Sequence, residues 1–120
     1  MISGIRTVLL DTNALLMPFQ FRLNLDREIE RLLGSVEILV PSCVIDELDR
    51  IDAEEAKGAR SLAEKYRIVP VRNTGDEGIL EAALEQRAAV ITNDQELIEI
   101  LRKSSVPVIR MRERKRLDFA

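Results

Sequence analysis

The sequence contains no histidine and a single cysteine, so its polar chemistry must come mainly from carboxylates. Without histidine the chain cannot build a Ser-His-Asp triad, a Cys-His pair or an HExxH zinc site. The lone Cys43 excludes a CxxC redox pair, a multi-cysteine zinc site and an intrachain disulfide. With 21 acidic residues among 120, carboxylates are the groups whose spacing must be examined.

Four of these acids each follow a segment that is predicted to be a buried strand. They are Asp11 after residues 5–10, Glu47 after residues 36–40, Asp76 after residues 67–71 and Asp94 after residues 88–91. Because parallel strands end at the same edge of a sheet, we expect these side chains to lie close together. Crowded carboxylates repel one another, and Mg²⁺ is the kind of hard cation that neutralises them. The set predicts a metal site suited to phosphodiester hydrolysis.

Each acid also has an ordinary structural explanation. Asp11 can form an Asx turn after its strand, and Asp76 and Asp94 can serve as helix N-caps. Glu47 flanks the apolar stripe of its helix, a position that a solvated residue can also occupy. Asp46 points away from that stripe. The prediction therefore depends on the acids occurring as a set after successive strands.

Short apolar strands alternate with helices along the whole chain and must position these acids. Strands are predicted at residues 5–10, 36–40, 67–71, 88–91 and 106–109. Helices are predicted at residues 26–33, from a Ser42 cap onward, at about residues 53–66, and at residues 76–87 and 94–103. Residues 14–25 fit a short helix, a broken helix or an apolar loop. Since no two-residue hairpin turn joins the strands, the pattern predicts an α/β fold with a mainly parallel five-stranded sheet covered on both faces. We expect one domain over residues 1–120.

Charge is distributed unevenly along the chain. Residues 1–101 carry 11 basic and 19 acidic side chains, whereas residues 102–120 carry 7 and 2. The basic C-terminal segment from about residue 110 contributes Arg110, Arg112, Arg114, Lys115 and Arg116. Such a segment is either a solvated end or a surface that holds a phosphate backbone. Aromatic residues amount to 3%, which argues against a base-stacking platform.

The chain start lacks a basic region followed by a long apolar run, and no apolar segment approaches the roughly 18 residues needed to cross a bilayer. We therefore expect a cytoplasmic protein without a membrane partner.

Four motifs, in order and spacing, resemble the PIN-domain ribonucleases. The motifs are VLLDTN at residues 8–13, VPSCVIDEL at 40–48, DEGIL at 76–80 and VITNDQEL at 90–97. The compact chain is most similar to archaeal stand-alone PIN proteins related to the nucleases of small-subunit ribosomal RNA processing. This resemblance implies a three-layer α/β/α fold, an acidic pocket that binds Mg²⁺ or Mn²⁺, hydrolysis of single-stranded RNA, and a homodimer.

The resemblance also implies roles for individual residues. Asp11, Glu47, Asp76 and Asp94 match the four acids of the family and would bind the metal. Asn13 and Thr92 match small polar positions that support those acids. Glu96 lies where many members carry an additional acid, which would make it an outer ligand.

One departure from the family pattern follows Asp76. Members of this subfamily often have a second Asp and then Ala, whereas this chain has Glu77 and Gly78. The sequence therefore leaves open whether Asp76 alone, or Glu77 with it, faces the metal.

We predict a Mg²⁺- or Mn²⁺-dependent endoribonuclease, with ribosomal RNA processing as one role. The alternatives are a ribonuclease toxin with an antitoxin partner, or a non-cleaving RNA- or protein-binding component, such as one that joins ribosome assembly. A phosphotransferase is disfavoured because Asp11-Thr12-Asn13 replaces a D-x-D pair and the chain lacks GxxxxGK[ST].

Overall fold

Six strands form one sheet in the computed structural model, which describes residues 4–120. The strands are β1 (Thr7–Leu10), β2 (Glu37–Pro41), β3 (Arg67–Val69), β4 (Ala89–Ile91), β5 (Val108–Arg112) and β6 (Arg116–Phe119). Their order across the sheet is β3-β2-β1-β4-β5-β6, with β1 to β5 parallel and β6 antiparallel to β5. The predicted mainly parallel α/β fold is confirmed, but the predicted number of five strands is one too few.

Six helices in the described part of the chain cover this sheet. They are α1 (Thr12–Phe21), α2 (Leu25–Leu33), α3 (Ser42–Arg50), α4 (Glu54–Ala63), α5 (Gly75–Gln86) and α6 (Gln95–Lys103). Right-handed crossovers place the helices between β1 and β3 on one face and those between β3 and β5 on the other. In agreement, α1, α3 and α4 pack together and α5 packs on α6, which gives three layers.

The two central strands form the centre of the core. Val8, Leu9 and Leu10 of β1 and Val90 and Ile91 of β4 are completely buried. Helices on both faces explain why these strands are continuously apolar rather than alternating. Their burial fixes the strand ends, and hence the residues that follow them.

Residues 14–25, for which the sequence left three alternatives open, are mostly helical. Helix α1 includes Pro18 and ends where Arg22 adopts a left-handed conformation, with φ of 57°. The Arg22 amide donates to the Pro18 carbonyl oxygen at 3.1 Å. Asn24 then caps α2 by accepting from the Arg27 amide at 3.1 Å.

Ser42 does not cap its helix, so that prediction is wrong. The helix begins at Ser42 itself, and Pro41 occupies the cap position without a side-chain hydrogen bond. The Ser42 hydroxyl instead accepts from the Val71 amide at 3.0 Å, which joins α3 to the loop after β3.

The basic C-terminal segment is a folded hairpin. Strand β5 continues to Arg112, three residues beyond the predicted end, and the chain returns as β6. Glu113 and Arg114 in the turn have φ of 55° and 58°. Two residues of α2 bind the outer edge of β6. Glu28 accepts from the Leu117 amide at 2.9 Å, and Arg31 donates to the Leu117 carbonyl oxygen at 2.6 Å. The backbone of the segment is therefore folded onto β5 and α2, whereas the side chains of residues 112–116 are exposed.

Within residues 4–120, no helix combines the length and the apolar character needed to cross a bilayer.

Candidate active site

A cavity of about 300 Å³ opens at the carboxyl ends of the central strands. The order of strands reverses between β1 and β4, and this is where parallel α/β sheets leave a crevice for ligands. The cavity is lined by residues from α1, α3, α5 and the β4–α6 turn, including all four predicted acids: Asp11, Glu47, Asp76 and Asp94.

Asp11 is the buried acid of this cavity, with 6% of its surface exposed. It caps α1, since its Oδ1 accepts from the Ala14 amide at 2.7 Å. Burial raises the pKa of its carboxyl to about 7; hydrogen bonds from Thr92 and the Ala14 amide oppose that rise, and the negative charges of Asp94 and Glu47 add to it. Asp11 therefore forms an Asx-type hydrogen bond to the Ala14 amide and also lines the cavity.

Asp94 is the exposed acid next to Asp11. It caps α6 by accepting from the Leu97 amide at 3.2 Å, and its own amide donates to the Thr92 hydroxyl at 3.0 Å. Thr92 is completely buried and also donates to Asp11. One hydroxyl therefore connects the two acids that follow β1 and β4.

Glu47 lies on the exposed side of the cavity, on α3. Its carboxylate accepts a hydrogen bond from the hydroxyl of Thr12, the first residue of α1. Thr12 also lines the cavity but was not among the predicted site residues, although it stands between Asp11 and Asn13 in the first motif.

Asp76 enters the cavity from the first turn of α5. Its N-cap role is not observed, because Thr74 occupies that position. Partial burial raises the pKa of Asp76, and the charges of Asp94, Glu96 and Glu47 raise it further.

Glu77 and Glu96 both lie outside the cavity lining and are exposed. Of the two neighbouring acids on α5, it is Asp76 that reaches the cavity. Glu96 is nevertheless close enough for its charge to act on Asp76.

Two asparagines join the ends of three parallel strands. Asn13 accepts from the Asn93 amide at 2.9 Å, and Asn93 accepts from the Met111 amide at 2.7 Å. Asn93 was missed by sequence reasoning, although it lies within the motif Thr92-Asn93-Asp94. These bonds fix β5, and the hairpin that continues from it, against the acidic cavity.

The predicted basic residues lie on this hairpin rather than in the cavity. Arg112 pairs with Asp118 at 3.4 Å and Arg116 with Glu113 at 3.7 Å, while the Arg114 guanidinium lies 5.8 Å from the centre of the Phe21 ring. Arg110 is half-buried and Lys115 is exposed. Because β5 is parallel to β1 and β4, the hairpin turn lies at the same edge of the sheet as the acids.

Cys43 forms part of the apolar wall of the cavity. It is buried, and burial raises the pKa of its thiol to about 11. The thiol is therefore protonated at neutral pH, as expected of a small buried residue rather than a reactive one.

Within residues 4–120, no group of three or more carboxylates or thiols stands close enough together to hold one ion. The donor set nevertheless suits Mg²⁺ or Mn²⁺, because every acidic or basic side chain that lines this open cavity is a carboxylate. Mg²⁺ is commonly held by one or two carboxylates, with waters and substrate phosphates completing its coordination. Burial is the main cause of the raised pKa of Asp11, the charges of Asp94 and Glu47 add to it, and no basic side chain is among the groups that oppose it.

A family model described as a PIN like domain matches residues 8–114. The chain belongs to this family. The PIN domain is 35% identical to ribonuclease VapC4 of Methanocaldococcus jannaschii, in a match that covers 91% of this chain and 92% of that protein. It is 27% identical to ribonuclease VapC9 of Archaeoglobus fulgidus, covering 96% and 90%. The predicted membership of the PIN-domain ribonucleases is confirmed.

The PIN domain also matches a solved structure, that of the PIN domain endonuclease Utp24. The TM-score is 0.82 at 21% sequence identity, and the match covers 94% of this chain and 90% of that one. This likeness confirms the predicted PIN-like fold.

Proposed function

We propose that this PIN domain is an endoribonuclease that cuts single-stranded RNA with Mg²⁺ or Mn²⁺ bound by Asp11, Glu47, Asp76 and Asp94. The observation that carries the proposal is that these four acids, far apart in sequence, line one cavity at the strand-order reversal. Two relatives that match nearly the whole chain are named ribonucleases, which supports RNA as the substrate.

A bound divalent cation would supply a nucleophile from water at neutral pH and would neutralise charge that develops on the phosphate. The chain's own residues hold the acids in place for this. Thr92 fixes Asp11 and Asp94, and Thr12 fixes Glu47. We expect products with a 5′-phosphate and a 3′-hydroxyl.

The basic hairpin is proposed to bind the RNA backbone beside the cavity. Its turn lies at the same sheet edge as the acids, and Asn93 fixes β5 relative to them. Replacing Arg110 and Lys115 with Ala should weaken RNA binding and flatten its dependence on salt, since each phosphate contact to a single strand contributes about 0.7 to that slope. Lys103→Ala, at the far end of α6, is the control for losing a basic side chain away from the hairpin.

Cleavage of a labelled RNA with Mn²⁺ or with EDTA tests the activity. Asp11→Asn and Asp94→Asn should lower the rate by about a hundredfold or more while the fold is retained, because each loses a metal-binding charge. Asp46→Asn removes the same charge from the residue before Glu47 on α3, outside the cavity lining, and should cleave like the wild type. Wild-type activity in the first two variants would refute the proposed site.

Full-length protein that binds RNA but does not cut it with either metal would instead favour a non-cleaving RNA-binding component. A homodimer and a protein partner, either an antitoxin or a ribosome-assembly factor, remain part of this proposal and can be tested by copurification and light scattering.

A further inference from the structure

Glu81 lies one and a half turns into α5, and its side chain points back toward the loop between β3 and α5. Its carboxylate accepts from the Arg72 amide at 3.0 and 3.1 Å. It also accepts from the Asn73 amide at 3.0 Å and from the Asn73 side-chain amide at 2.9 Å. These bonds lower the pKa of Glu81, so its carboxylate is ionised at neutral pH.

The same loop is pressed against α5 at a second point. A Cβ placed on Gly78 would lie 2.6 Å from the Asn73 carbonyl oxygen and 2.7 Å from the Cys43 sulfur. Only a glycine leaves room for this approach. Glu81 and Gly78 of α5 therefore fix the loop against the helix at two points, one through hydrogen bonds and one through close contact.

The loop leads directly into the cavity. Gly75 and Asp76 follow it, and both line the cavity wall. Gly75 has a φ of 57°, a conformation that glycine adopts readily and that turns the chain into α5. The position of the Asp76 carboxylate thus depends on where residues 72–74 are fixed.

We infer that Glu81 is a positioning residue that fixes the β3–α5 loop and thereby sets the affinity of Asp76 for the divalent cation. The inference rests on the proposed function. Glu81 itself does not line the cavity, so its effect on the metal passes through the loop. Outer-shell residues that hydrogen-bond to metal ligands typically contribute tenfold to a hundredfold in metal affinity, and we expect Glu81, which holds the loop before the ligand, to lie at the lower end of that range.

Two substitutions separate the loop contacts of Glu81 from its charge. Glu81→Ala removes the charge and every hydrogen bond. Glu81→Gln removes the charge but keeps a carbonyl oxygen that can still accept from Asn73. Glu99→Ala, at an exposed position on α6, is the control for losing an acid from a helix surface.

Mn²⁺ binding to the full chain, measured by isothermal titration calorimetry without RNA, is the first readout. We expect Glu81→Ala to weaken Mn²⁺ binding by about tenfold or more, and Glu81→Gln to recover most of the loss. Equal losses in both variants would show a charge effect and would overturn the inference. Wild-type affinity in Glu81→Ala would overturn it too.

Amide hydrogen exchange in EDTA is the second readout, and it does not depend on metal. Exchange at residues 72–76 should quicken in Glu81→Ala but stay unchanged in Glu99→Ala. Unchanged exchange in Glu81→Ala would refute the positioning role even if the wild type cuts RNA. If the wild type neither binds Mn²⁺ nor cuts RNA, the proposed function fails, and the inference fails with it.

Discussion

Asp11→Asn should change how the stability of the metal-free protein depends on pH. Burial is the main reason that the pKa of Asp11 rises from its ordinary 3.8 to about 7 in the folded protein. Between these two values the folded state holds a proton that the unfolded state has lost. The free energy of unfolding must therefore fall as pH rises through this window.

The size of this effect follows from the two pKa values. Their difference corresponds to about 4 kcal/mol of stability lost once Asp11 is ionised in both states. About 2–3 kcal/mol of this loss falls between pH 5 and pH 8. Asn keeps an oxygen that can accept from the Ala14 amide, so the variant should retain the helix cap. Because Asn carries no charge, the variant should not lose stability through ionisation at this position.

Urea unfolding at pH 5 and pH 8 in EDTA measures the difference. The wild type should lose about 2–3 kcal/mol more than Asp11→Asn between the two pH values. Adding Mn²⁺ at pH 8 should stabilise the wild type much more than the variant, because the cation neutralises the buried carboxylate. Parallel pH dependences in the two proteins would refute this account of Asp11.

Three further substitutions test packing near the site, on α4 and at the edge of the sheet. Gly78→Ala should destabilise the fold by about 1–3 kcal/mol in urea, since backbone and a buried sulfur both stand in the way. Gly58→Ala should have an effect within about 0.5 kcal/mol, because its Cβ would meet only the exposed ring of Phe19, which can swing outward. Arg31→Ala should cost about 1 kcal/mol by removing the hydrogen bond to Leu117, and thermal unfolding should show it; an unchanged midpoint would contradict that role.

The central strands and the four acids could be predicted because both depend on simple features of the sequence. A continuous apolar run such as residues 8–10 has to be covered on both faces, and the polar residue that follows it has to leave the core. Parallel topology then brings Asp11 and Asp94 together whatever their distance in sequence. The position of Glu47 beside the apolar stripe of α3 could be predicted from helix geometry in the same way.

The features that sequence reasoning missed depend on contacts between distant segments. Ser42 is of a residue type that commonly caps helices, but its hydroxyl accepts a hydrogen bond from the Val71 amide, 29 residues away. Strand β6 is only four residues long and two of them are charged, and its turn uses Glu113 and Arg114 in conformations usually left to glycine or asparagine. The role inferred for Glu81 likewise becomes visible only when its distances to the loop are known.

Both margins of the sheet are protected against uncontrolled strand addition. On one side, Glu28 and Arg31 already occupy the amide and carbonyl of Leu117 that an incoming strand would need. On the other side, β3 is only three residues long and is followed by Pro70, which offers no amide hydrogen. Two copies of this chain should therefore associate through helical surfaces, and the folded protein should resist joining into extended intermolecular sheets.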